Sequence, residues 1–340
     1  MGSSVNLPTI VSGDSENRPT LPFCTERKDF LERRIPSGRS YWPALPVEGW
    51  LDTINTLHMW TQIVGKIRLA QSPWVNHSWD VTLYVTPRGL TTSPIPHGDR
   101  LFQIDFDFID HRLVLSTGEG EVRSLPLESQ TTADFHASLM TTLGELALPV
   151  RIHPRPNEVE VATPFAEDTL HASYDAGAVH RFWLALSQVD RVFKAFRARF
   201  IGKASPVHFF WGSFDHAVTR FSGREAPEHP GGFPNMPDRI TREAYSHEVS
   251  SAGFWPGGDA GAAFFYSYAY PTPEGFAQAT VRPAAAGWNQ DLGEFVLPYE
   301  AVRTADSPEE ALMGFLESTY QAAATAARWD RKALEQTFVP

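Results

Sequence analysis

The chain has 340 residues, a formal net charge of −11, 42% hydrophobic and 20% charged residues, enough for a sizeable core in two domains or one large two-lobed domain. The acidic balance argues against a nucleic-acid partner, which needs a basic footprint. The lone Cys24 excludes an intrachain disulfide and an all-cysteine metal site, and no run reaches the roughly 18 apolar residues of a membrane span, so a cytoplasmic protein with no membrane partner is expected.

In chain order, residues 1–40 carry Ser, Pro, Asn and scattered charges without apolar period and read as a flexible N-terminal extension, beginning with neither a signal peptide nor an acylation signal. A first helix is predicted where Trp50, Ile54, Leu57, Trp60, Val64 and Ile67 recur at three- and four-residue steps. His58, Gln62 and Lys66 line one flank of it, either as a plain polar margin or as a row facing a cleft. A β-rich block follows, with Trp79–Thr86 and Leu90–Ile95 strand-like and Phe102, Ile104, Phe106 and Phe108 alternating with Gln103, Asp105 and Asp107 in an antiparallel meander. Asp105 and Asp107 read as solvated rather than catalytic. Thr131 opens a helix through Phe135, Leu139 and Leu143. Residues 148–172, rich in Pro, Glu and Thr, read as a linker.

The second lobe opens on the longest helical signal, Val179, Phe182, Leu186, Val189, Phe193, Phe196 and Phe200, with Arg181, Arg191, Lys194, Arg197 and Arg199 on a solvated face. Ser205–Gly223 then reads as two strands meeting near Gly212-Ser213. Alternation puts His208, Phe210 and Gly212 on one face and Val207, Phe209 and Trp211 on the other. On the second strand His216, Val218 and Arg220 lie opposite Asp215, Ala217 and Thr219. The Gly- and Pro-rich stretch Arg224–Arg239 has the length of a lid or binding loop. Phe264–Tyr270, Thr280–Ala284 and Glu294–Tyr299 are predicted strands. Ser307-Pro-Glu-Glu310 is a capping box ahead of a closing helix through Leu312, Phe315, Leu316 and Tyr320.

The expected architecture is α+β: a first lobe over 41–147, the linker over 148–172, a second lobe over 173–330 and a C-terminal tail over 331–340. Each lobe is a mostly antiparallel sheet flanked by a long leading helix and a closing helix. The order of elements repeats between them, with Gly65-Lys66, Ser72-Pro73, His77 and Trp79 echoed by Gly202-Lys203, Ser205-Pro206, His208 and Trp211, so an internal duplication is expected, with His77 and His208 in equivalent places. The phrases Leu57-His-Met-Trp-Thr-Gln-Ile-Val-Gly-Lys66, Gly89-Leu-Thr-Thr-Ser-Pro-Ile-Pro96, Ile104-Asp-Phe-Asp-Phe108, His208-Phe-Phe-Trp-Gly-Ser-Phe-Asp215 and Ser246-His-Glu-Val-Ser-Ser-Ala-Gly-Phe-Trp-Pro-Gly257 together resemble a bacterial domain-of-unknown-function family, number 5996, over about residues 41–330. The resemblance implies one evolutionary unit and no particular substrate, cofactor or catalytic residue.

Patterns for a nucleophile elbow, a phosphate-binding P-loop and a dinucleotide-binding glycine loop are missing, as are HExxH and cysteine clusters. The expectation is an enzyme using His/Glu acid–base chemistry, with or without a metal, on a small metabolite, anionic or not, in an inter-lobe cleft. Its catalytic candidates are His77, His208, His216, His247 and Glu248, with Asp215 beside them. Its substrate-binding candidates are His58, Gln62, Lys66, Trp79, Trp211, Arg220 and Trp255, with Lys66 and Arg220 holding the anionic part. No metal ligands are assigned, the cofactor is left unknown, and a homodimer is left open. The alternative is a non-catalytic small-molecule binding protein whose pocket is walled by Trp60, Trp79, Trp211, Trp255, Tyr266, Tyr268 and Tyr270. Convergence of the histidines would favour the first reading, and scattered histidines beside aromatic faces the second.

Overall fold

A computed structural model describes residues 41–259 and 261–336. The N-terminal extension with Cys24 and the last four residues of the tail lie outside the described residues. From Tyr41 onward the chain forms one compact unit, and a single apolar cluster runs from Trp42 to Trp329 through both sheets. The fold is α+β, as expected.

The leading helix α1 spans Leu51–Gln71. Its apolar stripe is buried throughout, and so are Gln62 and Lys66 beside it, at 0% and 2% exposure. The first sheet follows: β1 (Tyr84–Thr86), β2 (Gly89–Thr91), β3 (Ile95–His97), β4 (Arg100–Asp107), β5 (Arg112–Thr117) and β6 (Val122–Pro126). Its strands run in the order β1-β2-β4-β5-β6, with β3 sharing the β2 edge of β4. The alternation read from the sequence holds, since Phe102, Ile104 and Phe106 are buried while Asp107 faces out to Arg88, 2.6 Å away. Helix α2 (Thr132–Glu145) starts at Thr131, whose hydroxyl accepts from the Asp134 N–H as the spacing predicts.

Helix α3 (Ala176–Ala198) opens the second half, capped by Asp175. Two of its arginines cross to acids further along the chain, Arg191 to Glu309 and Arg199 to Glu317. The second sheet contains β7 (His208–Phe210), β8 (Asp215–Glu225), β9 (His247–Trp255), β10 (Phe264–Tyr270), β11 (Gly287–Asn289) and β12 (Glu294–Pro298), in the order β11-β12-β10-β9-β8-β7 and antiparallel throughout. The short α4 (Asp238–Ala244) lies between β8 and β9. The chain closes with α5 (Tyr299–Arg303), α6 (Pro308–Ala326) and α7 (Arg331–Leu334). Helices α3 and α6 pack on the inner face of this sheet, made by Phe209, Val218, Phe254, Phe265 and Leu297.

Several local expectations change. Of Trp79–Thr86 only Tyr84–Thr86 is strand, and Leu90–Ile95 is divided between β2 and β3. Thr280–Ala284 is not a strand; Pro283 has no N–H to give a ladder, and the strand forms instead at Gly287–Asn289. Ser307 does precede α6 with Pro308 at its first position, but the Ser307 side chain caps no N–H. The two sheets meet at one place, where Leu83 and Phe209 exchange backbone hydrogen bonds of 2.9 and 2.8 Å and so join the edges at β1 and β7.

Candidate functional site

The inward flank of α1 builds the site from below. His58 Nε2 donates to the Gly212 carbonyl at 2.8 Å, fixing the turn between β7 and β8. One turn on, the Gln62 amide pairs with both backbone groups of Asn157, donating to its carbonyl at 2.7 Å and accepting from its N–H at 2.9 Å. A further turn on, Lys66 donates to the Asn157 side chain and sits 5.4 Å from the Trp211 ring centre. The row His58, Gln62, Lys66 therefore holds two loops in place, and the second of them is the stretch read as a linker.

That loop is clamped from its other side as well. The Glu158 N–H donates to the Pro234 carbonyl at 2.9 Å, the Asn157 amide to the Asn235 carbonyl, and the Asn235 amide to the Val159 carbonyl at 2.7 Å. Residues 157–159 and 234–235 thus form a two-loop clasp drawn partly from the Gly- and Pro-rich segment expected to be a lid. Glu158 takes a left-handed backbone conformation, φ 58°, which is costly for a non-glycine residue. Its carboxyl lies against Gly212.

The outer face of the second sheet supplies the rest. Tyr266, Tyr268 and Tyr270 alternate with buried Ser267 and Ala269, so their rings form one half-buried row. Tyr266 donates to one oxygen of buried Asp215, and Ser213 donates to the other. The Tyr268 hydroxyl meets that of Tyr245 at 2.8 Å, and the Tyr266 and Tyr268 rings stack 6.1 Å apart at 19°. Glu294, at the start of β12, and Glu158 each feel the charge of Asp215. Exposed Ser213 lies beside this group.

Burial sets its electrostatics. Desolvation, reinforced by the Asp215 charge, pushes Glu158 up to about 7 and Glu294 up to about 7. Asp215 itself is raised by burial, against the pull of its Ser213 and Tyr266 hydrogen bonds. Burial lowers Lys66 to about 8 and His58 to about 4, so His58 is a neutral donor at neutral pH. Burial and the Asp215 charge raise the Tyr266 phenol well above its ordinary range. Carboxyls and an amine that all titrate near neutrality can exchange protons with a bound molecule.

The remaining candidates fall into separate places. His77, Trp79 and His247 gather at a second spot: His77 Nδ1 donates to the Ala244 carbonyl at 3.0 Å, leaving Nε2 to accept from Lys203 at 2.6 Å. The Trp79 and His247 rings lie 5.2 and 6.4 Å from that of His77. His208 and His216 are fully buried on opposite faces of the β7–β8 hairpin. His208 pairs across from Ala217, and His216 faces Asp190 of α3 at 3.3 Å. Arg220 is buried among Phe196, Tyr320 and Phe200, its guanidinium 3.4, 4.3 and 5.1 Å from their ring centres. Glu248 is ion-paired with Arg224 at 2.7 Å, and Trp255 packs on Phe264. Trp211 is buried and donates to the Val81 carbonyl at 2.8 Å. The histidines thus do not converge, and among the described residues no three His, Cys, Asp or Glu side chains are placed to hold a metal ion.

Glu158, Asn157, Asn235, Tyr245 and Glu294 were not singled out by the sequence reading. The Arg224–Arg239 segment was, and it supplies Asn235. For Glu158 the available signal was the acid within a Pro-rich stretch too long to be a bare connection.

Gly253 lies opposite Tyr266 in the ladder, and a Cβ there would stand 2.2 Å from the tyrosine ring. Gly253→Ala is therefore expected to cost about 1–3 kcal/mol and to push the ring off Asp215. The Tyr266 phenol, followed by NMR, should then titrate closer to the ordinary value; an unchanged titration would show that the ring had not moved.

The fold defines an α+β protein of two six-stranded antiparallel sheets, among whose described residues no helix is long and apolar enough to cross a membrane. The chain belongs to the family described as "Family of unknown function (DUF5996)", whose model matches residues 42–336. No curated protein and no solved structure matches it.

Proposed function

We propose that the protein is an enzyme performing acid–base chemistry on a small molecule seated on the tyrosine row beneath the 157–159 and 234–235 clasp. The observation that carries this reading is that Glu158, in the clasp and against Gly212, lies within the fields of Asp215 and of Lys66 under the same loop, with its carboxyl raised toward neutrality. Glu158 is the proton-transferring group, Asp215 and Tyr266 hold the opposite wall, and Lys66 tunes the field at Glu158 from below. A cytoplasmic setting accords with the single cysteine. A duplicated origin of the two halves is supported by two six-stranded antiparallel sheets, each preceded by a long helix, that meet at Leu83 and Phe209, each lying at nearly the same distance past the end of its leading helix.

A metabolite library screened by thermal stabilisation against wild type and Glu158→Gln, with mass spectrometry of each stabilising compound, tests the reading. Compounds that stabilise both proteins but are converted about a hundredfold faster by wild type are expected. Equal conversion by both would remove Glu158 from the chemistry. Stabilisation without conversion by either would favour the second reading, a small-molecule binding protein, to which the scattered histidines and the partly buried rings of Tyr245, Tyr266 and Tyr268 lend support.

A further inference from the structure

We propose that Lys203 is a nucleophile that forms a reversible imine with aldehydes, with His77 relaying the protons; the site lies apart from the Glu158 clasp and shares no residue with it. It is built from separate segments. Lys203 stands in the connection between α3 and β7, where its carbonyl accepts from the Phe221 N–H at 3.0 Å. His77 comes from the loop after α1, and Glu243 and Ala244 from the end of α4. His77 is 5% exposed and fastened twice, its main-chain N–H donating to Glu243 at 2.7 Å and its Nδ1 to the Ala244 carbonyl at 3.0 Å. The second bond sets the tautomer, so Nε2, 2.6 Å from the Lys203 amine, is left to accept. His77 and Ser78 both hold left-handed backbone conformations, φ 62° and 56°, a cost borne to keep the ring where Lys203 meets it.

Lys203 is exposed, yet its amine turns to an imidazole, with the rings of Phe221 and Trp79 centred 4.8 and 5.4 Å away in place of water on one side. A nucleophile, a base within hydrogen-bond reach and a group that orients the base make the arrangement that activates an amine. Burial lowers both groups, His77 to about 4 and Lys203 against the pull of Glu243. The step balances without a co-reactant. The ammonium passes one proton to His77 Nε2, the freed lone pair attacks the aldehyde carbon, and the carbonyl π pair moves to oxygen, which takes a second proton from the nitrogen. Protonated His77 then gives its proton to that hydroxyl, which leaves as water while the nitrogen pair closes the C=N bond. The iminium carries the charge the ammonium had. A histidine held low is a weak base but, once protonated, a strong acid, so its larger effect falls on the loss of water. An aldehyde suits the site better than an acyl donor, because an imine hydrolyses and returns the lysine whereas an amide consumes it. Partly buried Trp79 offers its ring to the rest of the aldehyde.

The test treats the full chain at pH 8 with propanal or hydrocinnamaldehyde and sodium cyanoborohydride, which reduces the imine and fixes the adduct, and follows the occupancy of each lysine by peptide mass spectrometry. Exposed Lys194 and Lys332 serve as references within the same molecule. Lys203 is expected to be labelled about tenfold or more faster than either, and its rate to fall to theirs in His77→Gln. Hydrocinnamaldehyde should label Lys203 faster than propanal does in wild type and lose that lead in Trp79→Leu. Labelling of Lys203 no faster than of Lys194 and Lys332 in wild type would overturn the proposal, and this ratio decides the matter even where His77→Gln does not fold. Fast labelling left unchanged by His77→Gln, in a variant with the urea midpoint of wild type, would overturn it as well.

Discussion

Glu158→Gln and Glu294→Gln are expected to be more stable than wild type above neutral pH, each by about 1–2 kcal/mol at pH 8, a figure reduced from the full shift because both groups keep contact with solvent. Both folded-state values lie near 7, above the ordinary carboxyl value of 4.5. A carboxyl raised in this way stabilises the fold fully below about 4.5, and the contribution is lost as pH rises through 7. The advantage of each amide should therefore be absent at pH 4, grow between pH 4.5 and 7 and level off above. His58, His77 and His208 act in the opposite sense. Burial lowers them to about 4, 4 and 3, so their contribution is present above 6.5 and lost as pH falls toward those values. Because the histidines are common to all three proteins, urea midpoints of variant minus wild type isolate the carboxyls. The double variant should gain about the sum, since each carboxyl repels Asp215 separately. A flat difference between pH 4 and 8 would show the carboxyls to be solvated. Stability gained where function is lost is the pattern expected of a site kept under electrostatic strain.

Gly65→Ala is the second large effect, and its sign runs against helix propensity. In the middle of α1 the exchange of glycine for alanine would ordinarily add about 1 kcal/mol. Here a Cβ would stand 2.2 Å from the Trp211 ring, which is 6% exposed and fixed by its bond to Val81. The ring cannot swing away without breaking that bond and uncovering Lys66. A net loss of about 2–4 kcal/mol is expected in urea unfolding. Adding Trp211→Leu should recover part of it, because the smaller side chain leaves room for the methyl group. A stabilised Gly65→Ala would mean that α1 and the β7–β8 turn are not in contact as described.

Much of the fold was legible in the chain. The stripes of α1 and α3 have a period that only a helix buries, and Phe264–Tyr270 was readable as a strand. Within each strand of the β7–β8 hairpin the faces were readable too, but placing His208 opposite His216 took the register that pairs His208 with Ala217. What periodicity did not carry was partnership. Gln62 meets Asn157 across 95 positions of chain, and Glu158 sits in a stretch with no repeat to mark it. A Pro-rich segment looks like a connection until another loop is found lying on it. The polar row on α1 was visible as a row, but its role of fixing two loops depended on which elements the core brings beneath it.

The exchange of hydrogen bonds between Leu83 and Phe209 also bears on how the chains behave in a crowd. Exposed strand edges invite pairing with other copies. The edges at β1 and β7 are each spent on the other. Of the edges left over, β6 carries Arg123 and ends on Pro126, and β3 and β11 are each three residues long. Among the described residues the longest of these open edges is the five-residue β6, whose last position, Pro126, has no N–H to offer a neighbouring strand.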